Sequence, residues 1–406
     1  MSPHLHPTAG ASRLESIDTL RGIAVLGILL MNIQLFAMIA PAYFNPTAYG
    51  DLGGINYAVW VFQHVFADQK FMTLFSMLFG AGMVLMADRA ESRGVSATWL
   101  HYRRTWWLLV LGAMHAYLLW YGDILVMYAM SAAIVVWFRR RQPLTQFICG
   151  AVMLLIGTTI FAGAGLTLPQ WPAEAIAEMR SQWAPTPEEI SQETAAYRGG
   201  WLQQMSHRVP HSLGFHSGAF IAWGFWRAGG LMLIGMALFR WGFFSAVLDS
   251  ARYRRFAAAG VVIGFPLVVY GLLQHEANQW RMEYSQFQGT LYNYWGSLAV
   301  STAYLCLVML WFQSGRLQAL VHRFAAVGRM AFSNYIAQTL ICFLLFYGTG
   351  LGLFGQAERW QQLLVVLGVW VLILLWSPWW LARFRYGPLE WLWRSLTYWE
   401  LQRFRR

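Results

Sequence analysis

The chain has 406 residues, of which 58% are hydrophobic and 12% charged. A soluble domain of this size carries roughly twice that charged share, so the apolar excess must face something other than water. The net charge of +11 does not indicate a nucleic-acid binder: Lys70 is the only lysine, and most of the arginines fall in connections between apolar runs, with no polar face large enough to gather them.

Apolar runs long enough to cross a bilayer recur along the whole chain. The first covers residues 19–40. It is too long for a signal peptide and has no small-residue cleavage pattern, so it is expected to stay as an anchor. An amphipathic stretch at 55–67 precedes the second run, 71–86. The third (105–120) and fourth (124–138) are separated only by Tyr121-Gly122-Asp123. A fifth, 145–168, leads into a polar segment at 169–217, whose Pro and Gly content predicts short helices. The remaining runs fall at 218–239, 256–273, 292–312, 330–347 and 361–381. The predicted fold is therefore all-α: a polytopic transmembrane helical bundle of about ten spans, forming a single transmembrane domain over 1–406.

Arginine sets the expected orientation. Alternate connections hold Arg89, Arg93, Arg103 and Arg104; Arg139 to Arg141; Arg240, Arg252, Arg254 and Arg255; Arg316, Arg323 and Arg329; and Arg383 onward. The intervening ones hold far fewer. Basic connections stay cytoplasmic, so both termini are expected inside and 169–217 is expected as an extracytoplasmic loop insertion. Paired aromatics near span ends, such as Trp106-Trp107 and Trp379-Trp380, fit interfacial belts. Cys149, Cys306 and Cys342 lie in apolar runs without CxxC or CxxH spacing, so no metal or disulfide framework is expected.

Ionisable groups within spans are costly in lipid and mark interior sites. His115 lies in the third run, and the tight Tyr121-Gly122 turn brings Asp123 back toward it. A carboxylate there would fix the imidazole tautomer and raise its basicity for general-base work; the alternative is a core histidine bonded to a neighbouring helix. Asp18 and Arg21 form a possible pair at the start of the first run, and Asn32 is a polar group deep in that run which needs a partner. Asp68 and Lys70 stand at the entrance of the second run, either as a salt bridge or as contacts for an anionic substrate. Asn334, Tyr335 and Gln338 crowd the start of the ninth run and should point inward, and Arg329 before them suits a phosphate. Arg227 lies inside the sixth run, to snorkel or pair. The loop histidines His207, His211 and His216 lack clear metal-ligand geometry. No P-loop, GxSxG, HExxH or dinucleotide fingerprint occurs in a fitting context, which argues against an ATP-driven pump.

Five stretches carry a resemblance: Ile17 to Ile33 with its Asp18-Thr19-Leu20-Arg21-Gly22 opening; Lys70 to Gly82; His115 to Leu125; Gly328-Arg329-Met330-Ala331 with Asn334, Tyr335 and Gln338; and Phe384 to Arg394. In this order they resemble the YeiB-like family of bacterial inner-membrane proteins, which share the domain of unknown function 418. The opening Asp-x-x-Arg-Gly is also similar to that of transmembrane acyltransferases of the heparan glucosaminide N-acetyltransferase type. That resemblance implies an acyl-CoA donor, an acceptor on the other side of the membrane and a central intramembrane histidine. The chain departs from the pattern in having no histidine in its first run.

The expected function is acyl transfer from cytoplasmic acyl-CoA to an outward-facing acceptor. His115 and Asp123 would be catalytic, and Arg103, Arg104 and Arg329 would hold the donor phosphates. Asn32, Asp68, Lys70, Asn334, Tyr335 and Gln338 would line the substrate path. The rivals are a small-molecule transporter or permease and a non-catalytic scaffold. The absence of a repeat, and proline's preference for connections, count against transport. No metal and no nucleic acid are expected, and the lipid bilayer is the expected surrounding.

Overall fold

The computed structural model describes residues 15–406. Short turns aside, the helices run in the order α1 (Glu15–Ala37), α2 (Gly54–Phe66), α3 (Lys70–Glu91), α4 (Ala97–Leu118), α5 (Leu125–Val135), α6 (Pro143–Thr167), α7 (Ala173–Trp183), α8 (Pro187–Arg198) and α9 (Trp201–His216). There follow α10 (Gly230–Arg240), α11 (Ser250–Ala277), α12 (Thr290–Gln313), α13 (Gln318–Arg329), α14 (Ala331–Phe346), α15 (Arg359–Arg383) and α16 (Pro388–Tyr398). Among the described residues there is no strand, only an isolated bridge between Phe384 and Arg405. The protein is an all-α, polytopic membrane bundle.

Each apolar run of the sequence coincides with a helix. Among the described residues, seven helical segments are long and apolar enough to cross a membrane, or eight if α13 and α14, bent by 81° at Met330, make one broken span. The third and fourth runs differ from the rest. α4 starts at Ala97, capped by the Ser96 side chain, so Arg103 and Arg104 lie inside the helix rather than before it. α5 with its terminal turn, Leu125–Phe138, is shorter than a full span. The polar segment folds as α7, α8 and α9. Proline is not confined to connections: Pro266 and Pro378 sit inside α11 and α15. π-helical turns at Phe220–Gly229 and Ser285–Gly289 lead into α10 and α12.

Burial shows which helices meet lipid. On α6 only Gln146, Gly150, Leu154 and Gly157 are buried, a single stripe at helical spacing. On α1, 17 of 23 residues are buried, so α1 is a central helix wrapped by protein. Small residues let neighbours approach it, as expected where lipid supplies no hydrophobic drive between helices. A Cβ on Gly328 would fall on the Asp18 carbonyl oxygen, and one on Gly22 on the Phe324 carbonyl oxygen. α1 and α13 therefore cross at backbone contact. Gly328→Val should lower stability by about 3 kcal/mol through overpacking. The check is the thermal midpoint in detergent, and an unchanged midpoint would refute this close crossing.

Candidate active site

The hairpin between α4 and α5 builds a buried polar pair. The amides of Leu119 and Trp120 both donate to the His115 carbonyl, at 3.0 and 2.9 Å, and close α4. After the turn, Asp123 Oδ1 accepts the Val126 amide at 2.9 Å and caps α5. Its other oxygen, Oδ2, lies 2.6 Å from His115 Nδ1. The far ring nitrogen, Nε2, lies 3.0 Å from Thr339 Oγ1 on α14. A carboxylate that already accepts an amide accepts again here, so Nδ1 carries a proton, and in the neutral ring Nε2 then carries the lone pair. His115 is 2% and Asp123 0% exposed.

Beside this pair runs a cavity of about 280 Å³. Its mouth is lined by Arg21, Arg89, Arg93, Arg104, Arg329 and Arg394, with Asp18 and Glu390. Its inner wall is apolar and includes Val25, Ile28, Phe75, Leu78, Phe79, Leu108, Leu125 and Phe332. Tyr335 also lines it, and its ring centroid stands 5.3 Å from that of His115. His115 is thus not in the wall itself but one side chain behind it. Each of the five stretches carrying the resemblance contributes to this one wall: Asp18 and Arg21, Phe75 and Phe79, Ile124 and Leu125, Arg329 and Tyr335, and Trp393 and Arg394.

The family described as "Protein of unknown function (DUF418)" matches residues 238–400. The Escherichia coli (strain K12) protein named "Uncharacterized protein YeiB" is 34% identical over 391 residues, spanning 95% of this chain and 96% of that protein. The chain belongs to the YeiB-like family. A YeiB-like relative from Bacillus subtilis (strain 168), "Uncharacterized protein YxaH", is 28% identical over 415 residues, with 97% of this chain and 96% of the relative covered.

In this YeiB-like chain the sequence-derived candidates separate into groups. His115 and Asp123 meet, and Tyr335, Arg104 and Arg329 reach the cavity. Arg103 does not line it; its guanidinium lies over the Trp399 ring, 5.8 Å from the centroid. Asn334 and Gln338 point inward but join helices. Asn334 bonds the Val327 carbonyl, Ser377 and the Trp376 indole, and Gln338 bonds the Val25 carbonyl at 3.1 Å. Asn32 is half-buried. The fully buried amide of α1 is instead Gln34, which donates to Gln63 at 3.2 Å.

Asp68 and Lys70 do not bridge directly and do not line the cavity. The Lys70 ammonium, fully buried, donates to the His64 carbonyl and to Asn293 Oδ1, at 2.7 and 2.6 Å. Asn293 in turn donates to Asp68 Oδ2 at 2.7 Å. Arg227 neither snorkels nor meets a carboxylate. It donates to the Tyr294 carbonyl, Thr73 and Ser297, with its guanidinium over the Tyr294 ring. These charges tie α3, the turn before α10 and α12 together, as buried ionic groups must when lipid surrounds them.

Three contributors escaped the sequence reading. Thr339 occupies His115 Nε2. Arg394 brings a charge to the mouth from the C-terminal helix. Glu390 accepts the Phe332 and Ser333 amides and the Ser333 hydroxyl, and so satisfies the open N-terminus left by the Met330 bend. Burial pushes the Glu390 carboxyl up, while those hydrogen bonds pull it down. At the opposite end of the bundle, Glu193 on α8 accepts the Ala40 amide at 3.0 Å, and burial raises its carboxyl above the ordinary range. His207 and His211 stack beside Tyr197 and Tyr121. Among the described residues no group of three His, Cys, Asp or Glu is placed to hold a metal.

Proposed function

We propose that this protein is an acyl-CoA-dependent acyltransferase of the bacterial inner membrane, with both termini and the arginine-lined mouth in the cytoplasm. The observation that carries the reading is a single cavity with a basic mouth and an apolar wall, in which Tyr335 separates the cavity from a buried His–Asp pair. Phosphates suit the mouth, because guanidinium groups recognise them in a planar fork. A pantetheine arm and acyl chain suit the apolar wall, and the thioester would then lie near Tyr335. His115, held in one tautomer by Asp123, supplies the base. The leaving thiolate takes the proton that the base has gained.

Two sequence-derived roles are dropped from this scheme. Asp68 and Lys70 are engaged with Asn293 and the His64 backbone, so neither is assigned to the acceptor. Arg103 faces Trp399 and is not assigned to the donor. Transport finds its support in the interrupted helices, with π-helical turns before α10 and α12 and prolines inside α11 and α15. The charges near those turns are nonetheless held by fixed neutral partners, Arg227 by the Tyr294 carbonyl, Thr73 and Ser297 and Lys70 by the His64 carbonyl and Asn293, so the acyltransferase reading is preferred.

The test is thiol release from acetyl-, succinyl- and long-chain acyl-CoA by the detergent-purified protein. Wild type should release thiol saturably, and His115→Ala should lose at least 99% of that rate, within the usual contribution of a general base, about 10²–10⁴-fold. No release with any of these donors would defeat the proposal.

A further inference from the structure

The imidazole of His115 has one nitrogen available for base catalysis, and that nitrogen is already occupied. Asp123 beside Nδ1 favours a proton there, which in the neutral ring leaves the lone pair on Nε2, 3.0 Å from Thr339 Oγ1. His115 and Thr339 are 2% and 1% exposed, so an incoming acceptor cannot share Nε2 without displacing the threonine. Among the described residues the only other partner of that hydroxyl is the Tyr335 carbonyl, which it reaches at 3.4 Å, a long bond that competes poorly. Thr339 lies one helical turn beyond Tyr335, about 6 Å along the axis of α14, behind the cavity wall that Tyr335 helps to line. Hydroxyl, imidazole and carboxylate thus stand in the order nucleophile, base and orienting group.

We infer that Thr339 is the acyl-accepting nucleophile, and that transfer proceeds through a threonine ester. The inference rests on the acyl-CoA reading above. In the first step Oγ1 attacks the thioester carbonyl carbon while its proton passes to His115 Nε2. The C–S bond breaks, and the thiolate takes that proton and leaves as free CoA. In the second step an acceptor hydroxyl or amine gives its proton to Nε2 and attacks the ester carbonyl. The Thr339 oxygen leaves and recovers the proton. No redox partner is required, and a relay through a buried ester lets donor and acceptor use opposite ends of the bundle.

The experiment incubates the detergent-purified protein with radiolabelled acetyl-CoA, quenches in acid and maps the label by peptide mass spectrometry. Binding of CoA and thiol release are measured in parallel on wild type, Thr339→Ser, Thr339→Ala and His115→Ala. The expected result is an acetyl group on the Thr339 peptide in wild type and in Thr339→Ser. In Thr339→Ala the adduct should vanish and thiol release should fall at least a hundredfold, with CoA binding changed less than threefold. Full thiol release by Thr339→Ala, or a wild-type adduct on another residue, would overturn the nucleophile while leaving acyl transfer intact. Absence of both CoA binding and thiol release in wild type would overturn the inference together with the reading on which it rests.

Discussion

Asp123→Asn is expected to lower the turnover of thiol release by roughly a thousandfold or more while leaving the protein folded. An asparagine can keep the cap on α5, because its carbonyl oxygen still accepts the Val126 amide. Its amide nitrogen would then face His115 Nδ1 and donate to it. The imidazole proton is driven to Nε2, and the base loses the lone pair that the chemistry needs. A comparable carboxylate-to-amide change in a Ser–His–Asp triad costs about 10⁴-fold, and a thousandfold corresponds to about 4 kcal/mol of barrier. The readout is turnover at saturating donor, with the thermal midpoint as a folding control. A change smaller than threefold would make the His115–Asp123 pair a helix tie rather than a catalytic unit.

Neutralising the mouth should weaken the donor without slowing the chemistry. Arg104→Gln and Arg394→Gln are each expected to raise KM for acyl-CoA about five- to thirtyfold, the loss of roughly 1–2 kcal/mol in a charge-assisted contact. The salt dependence of KM should flatten with each charge removed. Arg104 also lies over the Trp393 ring, 4.4 Å from the centroid, so Arg104→Gln is compared with Arg104→Lys, which keeps the charge and should recover much of the affinity. Arg103→Gln is the discriminating control. One residue away in sequence but directed toward Trp399, it should leave KM within twofold. Equal effects at 103 and 104 would show that general basicity, not the cavity wall, sets donor affinity.

The contrast between those neighbours shows where the sequence is readable. Bilayer-length apolar runs are read from composition alone, so the helical architecture is visible without coordinates. The His115–Asp123 pair is visible because it is local: a tight turn brings residues eight apart together. Arg103 and Arg104 look alike in sequence, and only the early start of α4 at Ala97 turns one into the cavity and the other away. Thr339 lies one residue past Gln338 in a stretch already marked as polar and inward, but a single hydroxyl in an apolar run usually bonds its own helix backbone. Asn293 and Glu390 could not be foreseen from spacing. Asn293 mediates between Asp68 and Lys70 from more than 200 positions away, and Glu390 caps a helix that begins at Ala331. Long-range polar partners of this kind are selected by tertiary packing, for which local periodicity carries no signal.

The central claim is that the arginine-lined cavity receives an acyl-CoA. The most direct measurement is calorimetric titration of acetyl-CoA into the detergent-purified protein. The account predicts saturable binding at one site per chain, weakened in Arg104→Gln and Arg394→Gln and unchanged in Arg103→Gln. Absence of saturable binding by acetyl-, succinyl- and long-chain acyl-CoA, or binding indifferent to Arg104 and Arg394, would contradict it.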